Sequence, residues 1–244
     1  PYCRIPELLT LMEIIISKVG DQTVSGFMNQ IMMQLFKPSV DLICSEFDSF
    51  MQFRIPLTDF MSSVVKYAFN SYASLPADAI TMMEKTIEWG CQHPNFDICK
   101  KNIQLLLDLF TATEKSTEQS FKNQFYASFY MSAVDTIFVV MTDTIHKFAF
   151  AEQAKLLRKL FSMQVEQRNP EMITELLYNK FQNRQPQFFS LVIQYLFSHV
   201  NSQTEFNDHL RDFLVEVKQV SSEDPDFFVE ERNNKARTKQ KQKQ

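Results

Sequence analysis

Three glycines in 244 residues, Gly20, Gly26 and Gly90, constrain this chain more than any other feature. Tight β-hairpins and phosphate-cradling loops need glycine where the backbone takes positive φ. A chain so poor in glycine turns seldom, or turns between helices. Apolar residues agree with the second option. Phe206, Leu210, Phe213, Leu214, Val217 and Val220 recur at steps of three and four, one stripe along a helix. Phe189, Val192, Ile193, Leu196, Phe197 and Val200 repeat the pattern just before it, as do Ile103, Leu106, Leu107 and Phe110.

Prolines mark where helices begin. Pro76, Pro94, Pro170, Pro186 and Pro225 each precede a periodic stretch, and proline suits the first helical position, whose N–H has no partner in any case. Gly20 follows such a stretch and is expected to close it in the left-handed conformation. Helices are predicted over 5–19, 22–45, 57–74, 76–92, 94–113, 118–142, 150–164, 169–183, 185–201 and 203–220, with a last one starting near Pro225. They group into five hairpins at 5–45, 57–92, 94–142, 150–183 and 185–220. Units of this length match helical-hairpin repeats of the HEAT and armadillo kind. The expected fold class is therefore all-α, a solenoid of antiparallel helix pairs, with one compact helical bundle as the alternative. Residues 221–244 stand apart as the start of a C-terminal helix and a polar, basic tail.

Composition narrows function. The formal charge is −4, which is not the strong basic excess of a nucleic-acid binder, although Arg232 to Gln244 carries only basic and neutral residues. That run could meet acidic partners or nucleic acid, with a solvated, unstructured end as the favoured reading. Four scattered cysteines, Cys3, Cys44, Cys91 and Cys99, do not make a disulfide framework and point to a reducing compartment. No apolar run approaches the roughly eighteen or more residues of a membrane span. The chain opens on Pro1 with no charged-then-apolar leader, as expected of part of something longer.

Chemistry-bearing motifs are sparse. Gly20 and Gly26 approach phosphate-loop spacing, but Phe27 follows where a lysine is needed to reach the phosphates. Cys91, His93 and Cys99 could offer soft ligands to zinc, but a paired spacing and a fourth ligand are missing. The alternative is two packed thiols and a histidine capping a helix. Asp208, His209 and Asp212 beside Arg211 read as a solvated polar face, and Asp143, Thr144 and His146 as a helix exit. No catalytic residue, cofactor or metal is expected. Met28, Met32, Met33, Met82 and Met83 either fill the core or line an adaptable groove.

Two stretches carry a resemblance. The first is Gln119–Tyr126 (QSFKNQFY) continuing through Ile137–Thr144 (IFVVMTDT). The second is Glu205–Lys218 (EFNDHLRDFLVEVK) with Glu223, Asp224 and Asp226–Arg232 (DFFVEER), its most specific part being HLRDFLV at 209–215. Together with Pro6–Gly20 they resemble the C-terminal repeats of the exportin-1 family, receptors for leucine-rich nuclear export signals. The resemblance implies a ring of HEAT repeats that binds Ran-GTP and export-signal cargo and shuttles between nucleus and cytoplasm past phenylalanine–glycine nucleoporins. It implies no direct nucleic acid and no membrane. This chain would cover roughly the last five repeats, a scaffold that closes the ring. Phe227, Phe228, Val229, Glu230, Glu231 and Arg232 match the start of the family's last helix, and Phe227, Phe228, Glu230, Glu231 and Arg232 are the expected partner-binding residues. Two features depart from the family. The connection after Met163 is short, and the end is basic where some members are acidic. A HEAT scaffold or an import receptor segment is the alternative function, and a helical enzyme with an unrecognised site the third.

Overall fold

The computed structural model describes residues 5–46, 49–143, 145–181 and 184–218. The expected partner-binding residues Phe227, Phe228, Glu230, Glu231 and Arg232 lie outside them. Among the described residues every regular element is helical. They divide into two compact units, residues 1–125 and 126–244, with the boundary inside one helix. The fold class is all-α, with helices packed in pairs as in HEAT-type repeats.

The first unit contains α1 (Pro6–Val19), α2 (Asp21–Val24), α3 (Met28–Ile31), a π-helical turn (Met32–Phe36), α4 (Lys37–Ser45), a short 3-10 turn (Met51–Phe53), α5 (Arg54–Tyr67), α6 (Phe69–Ala73), α7 (Ala77–Cys91) and α8 (Phe96–Lys115). The helix α9 (Gln119–Thr142) leads into the second unit, which contains α10 (Phe150–Ser162), α11 (Pro170–Lys180), α12 (Pro186–Ser198) and α13 (Gln203–Lys218). In the first unit α5 packs against both α1 and α8, and α7 pairs with α8. In the second, α12 packs against α10, α11 and α13.

Helix ends follow the local chemistry. Pro6, Pro170 and Pro186 open α1, α11 and α12. The side chain of Asn95 accepts the N–H groups of Asp97 and Ile98 to cap α8, and Asn169 does the same for Glu171 and Met172 on α11. Gly20 departs from the expectation. Its φ is 72°, but ψ is −177°, a region open essentially to glycine alone rather than the left-handed helical one. The chain therefore leaves α1 and enters α2 within one residue. Asp21 then holds α6, accepting the Ser71 N–H at 2.8 Å and the Ser71 hydroxyl at 2.7 Å.

Two predicted helices are broken. The stretch 22–45 is interrupted between Val24 and Met28 and widens at Met32–Phe36, where the Lys37 N–H reaches back to the Met32 carbonyl. Pro38 explains the widening: it lacks the next donor, and its ring would press on the carbonyl four residues earlier. The stretch 57–74 begins earlier, at Arg54, and breaks at Ala68, whose φ of −139° and ψ of 37° are not helical.

Helix α9 also corrects the expectation about membrane-length segments. It is 24 residues long and apolar enough on average to cross a membrane, although Lys122 and Asp135 interrupt the run. Its first half exposes a polar stripe through Ser120, Asn123, Gln124 and Ser128, and its second half, from Ala133 on, is enclosed as a core helix. Phe121 meets Phe69 and Tyr72, and Phe125 meets Phe110 at 5.1 Å between ring centroids. Further along, Tyr130 donates its hydroxyl to the Leu160 carbonyl at 2.9 Å, and Phe138 packs edge-on to Phe213.

Candidate functional site: an apolar crevice beside Trp89

In the first unit α4, α5 and α7 leave a crevice of about 180 Å³. Val40, Ile43 and Cys44 come from α4, Leu57 from α5, and Met82, Lys85, Thr86 and Trp89 from α7. The α7 residues share a face because helical neighbours recur at three and four. Thr86 turns its hydroxyl inward onto the Met82 carbonyl at 2.7 Å, which leaves its methyl to the crevice. Leu57 and Ile43 are buried, whereas Met82 and Trp89 are half-buried, so the crevice has an apolar floor and an open mouth. At the rim Lys85 pairs with Glu88 at 2.9 Å. The volume compares with the roughly 150 Å³ cavity that accepts benzene, so one aromatic ring fits.

Trp89 is held from behind. The Arg54 guanidinium lies 5.7 Å from the indole centroid, and the His93 ring stands edge-on at 5.3 Å. Arg54 is 1% exposed, and its Nη1 is 2.5 Å from His93 Nε2, while His93 Nδ1 accepts the Asn95 N–H at 2.9 Å. His93 thus fixes the α7–α8 turn, and the cap of α8 falls to Asn95. The neighbouring thiols are packed: Cys91 and Cys99 are buried, and the Cys99 thiol donates to the Cys91 carbonyl at 3.0 Å. Burial first, then Cys99 and Glu88, holds the Cys91 pKa well above the usual thiol value, which disfavours the thiolate a metal would need. No cluster of three metal-ligating side chains occurs among the described residues.

The other sequence candidates are distributed rather than assembled. Met28, Met32 and Met83 are core residues and Met33 is exposed, so of the five methionines only Met82 lines the crevice. Arg211 pairs with Asp208 and lies over the Phe150 ring at 5.3 Å; burial lowers its pKa, so it is less solvated than expected. His209 stacks on Tyr195 at 5.0 Å. His146 Nδ1 lies 3.0 Å from Asp143 at the exit of α9. None of these sets faces a shared cavity. Val40, Ile43, Leu57 and Trp89 escaped sequence reasoning, since each sits at an ordinary helical apolar position. The lone tryptophan, on the same face of α7 as Met82, was the available signal.

A family model described as CRM1 C terminal matches residues 1–222. Among curated proteins the chain is 23% identical over 248 residues to Exportin-1 of Drosophila melanogaster, covering 95% of the chain and 23% of that protein. It is 26% identical over 254 residues to Protein EXPORTIN 1A of Arabidopsis thaliana, again 95% of the chain and 23% of the relative. Against Exportin-1 of Schizosaccharomyces pombe the identity is 22% over 261 residues, 99% of the chain and 24% of the relative. The chain therefore spans about a quarter of the length of these relatives.

Proposed function

The chain belongs to the CRM1 C-terminal family, and from that premise we propose that it is the C-terminal part of a nuclear export receptor. In this reading the whole receptor carries leucine-rich export-signal cargo together with Ran-GTP and shuttles between nucleus and cytoplasm. Residues 1–220 act as five helical hairpins that scaffold and close the receptor, and Phe227, Phe228, Glu230, Glu231 and Arg232 begin a partner-binding C-terminal helix. The segment works by binding, not by catalysis.

The crevice beside Trp89 supports a more specific role, docking of nucleoporin phenylalanines. Its apolar floor, open mouth and room for one ring suit a phenylalanine flanked by flexible glycine. Burying one such side chain is worth about 1.5–3 kcal/mol before the cost of ordering the peptide, which gives the weak, fast binding that passage through a crowded pore requires.

The test is a titration of the purified chain with a labelled phenylalanine–glycine repeat peptide, with serine replacing phenylalanine in the control. Saturable binding is expected for phenylalanine alone. Met82→Trp, which fills the crevice from a half-buried position, is expected to weaken it at least tenfold while the melting temperature stays within a few degrees. Equal binding by the serine peptide, or by a correctly folded Met82→Trp protein, would remove the crevice from the proposal. Failure of the full-length receptor to bind export-signal peptide with Ran-GTP would remove the export function itself.

A further inference from the structure

The second unit carries a groove of about 860 Å³ along α11 and α12, unlike the crevice in both size and charge. Glu166, Glu171 and Glu175 line it, and none has an ion-pair partner among the described residues. Arg168 is the one cation in the lining; its guanidinium lies 4.5 Å from the Phe197 ring centroid. Tyr178 adds an aromatic wall, and Gln194 on α12 a polar one. Glu171 lies in the first turn of α11, which the Asn169 side chain caps.

We propose that this groove holds the chain's own basic end, residues 232–244, in extended form. Charge complementarity is the first argument. Arg232, Lys235, Arg237, Lys239, Lys241 and Lys243 carry no acidic residue among them, and the groove presents three carboxylates against the one guanidinium of Arg168. Spacing is the second. Lys239, Lys241 and Lys243 alternate with glutamines, so an extended backbone places all three lysines on one side, about 6.6 Å apart. Glu171 and Glu175 are one helical turn apart, a rise of about 6 Å. Successive lysines thus meet successive glutamates, and the intervening glutamines turn away. Lysine stems can lie against Tyr178 while the ammonium groups reach the carboxylates.

Reach is not limiting. Arg184 bonds the Glu216 carboxylate at 2.6 Å, which puts the last turns of α13 near Pro186 at the start of α12, a groove residue. Residues 219–238 can span on the order of 60 Å when extended. Helix α12 is 13 residues long, roughly 20 Å.

The experiment uses the full chain with C3S and C44S, which leave the buried Cys91 and Cys99 as the other thiols, and a nitroxide spin label on Q244C. Amide relaxation is then read across α11 and α12. Docking predicts at least a threefold enhancement at residues 166–178 and 186–194 in low salt, lost at 0.5 M NaCl. It predicts loss in K239E/K241E/K243E and equally in E171K/E175K, with recovery when the two sets are combined. A uniform background along both helices, an enhancement that survives charge reversal, or failure of the combined set to recover it would overturn the proposal. So would enhancement arising only between labelled and unlabelled molecules, which would mean a second copy fills the groove.

Discussion

Glu84 and Gly90, six residues apart on α7, show how much can turn on a single side chain in the first unit. Glu84 is buried, one of its carboxylate oxygens has no partner, and so is the Tyr72 hydroxyl buried without one. Burial first, then the neighbouring Glu88, raises the Glu84 pKa from 4.5 to about 7. The sign of the linkage follows. The native state holds this proton more tightly than the unfolded chain, so stability falls as pH rises from about 4.5 to about 7 and is flat in this contribution above that. A shift of that size corresponds to on the order of 3 kcal/mol. Glu84→Gln is expected to remove this slope, so that denaturant unfolding shows the variant more stable than the parent at pH 8 and not at pH 4. Gly90 matters for a different reason. A Cβ there would collide with the Asn102 amide, which donates to the Thr58 hydroxyl and the Ile98 carbonyl. Gly90→Ala is expected to cost about 1–3 kcal/mol by thermal denaturation. Because the clash is with one side chain, adding Asn102→Ala should recover part of that loss, a coupling that a double-mutant cycle would read.

Among the elements, α8 and α9 show opposite ways of stabilising a helix. Helix α8 buries one broad face, and its start is set by the Asn95 side chain and the His93 turn behind it. Asn95→Ala removes two accepted N–H bonds at the cap and keeps the backbone N–H that reaches His93. It is expected to cost about 1 kcal/mol, visible as a lower denaturation midpoint with an unchanged slope. Helix α9 exposes Ser120, Asn123, Gln124 and Ser128 in its first half, but from Ala133 on it depends on neighbours around it; its aromatic contacts run from Phe69 and Phe110 at one end to Phe161 and Phe213 at the other. The same apolar character that gives it membrane-span hydropathy is spent on packing. The π-helical turn before Pro38 is the third kind of element, one in which a single residue reshapes the hydrogen-bond ladder next to the crevice.

At the scale of the molecule there are two compact units, each with its own aromatic core and its own surface feature. The first offers a small apolar crevice, the second a large groove with three carboxylates. These suit different partners, a single aromatic side chain and an extended basic segment. Under the proposed function, a full-length receptor carrying Met82→Trp is expected to form its complex with cargo and Ran-GTP normally. It should accumulate more slowly across nuclear envelopes in a permeabilised-cell transport assay, because only pore docking has been altered.

Periodicity was enough to determine the all-α class and the approximate limits of most helices, and prolines marked the starts at Pro170 and Pro186. These depend on contacts between residues three or four apart, which the order of residues states directly. The local matches at 119–144 and 205–218 were likewise enough to identify the family. Its proposed partner residues at 227–232 lie outside the described residues. Tertiary structure decided the rest. The crevice brings Val40 to Leu57 and Trp89, and the Tyr72 pKa is raised first by burial and then by Glu84 from another helix. The need for glycine at position 90 depends on where α8 lies. A pocket, a raised pKa and a close approach all arise from groups that are distant along the chain, and no local pattern encodes which helices will meet.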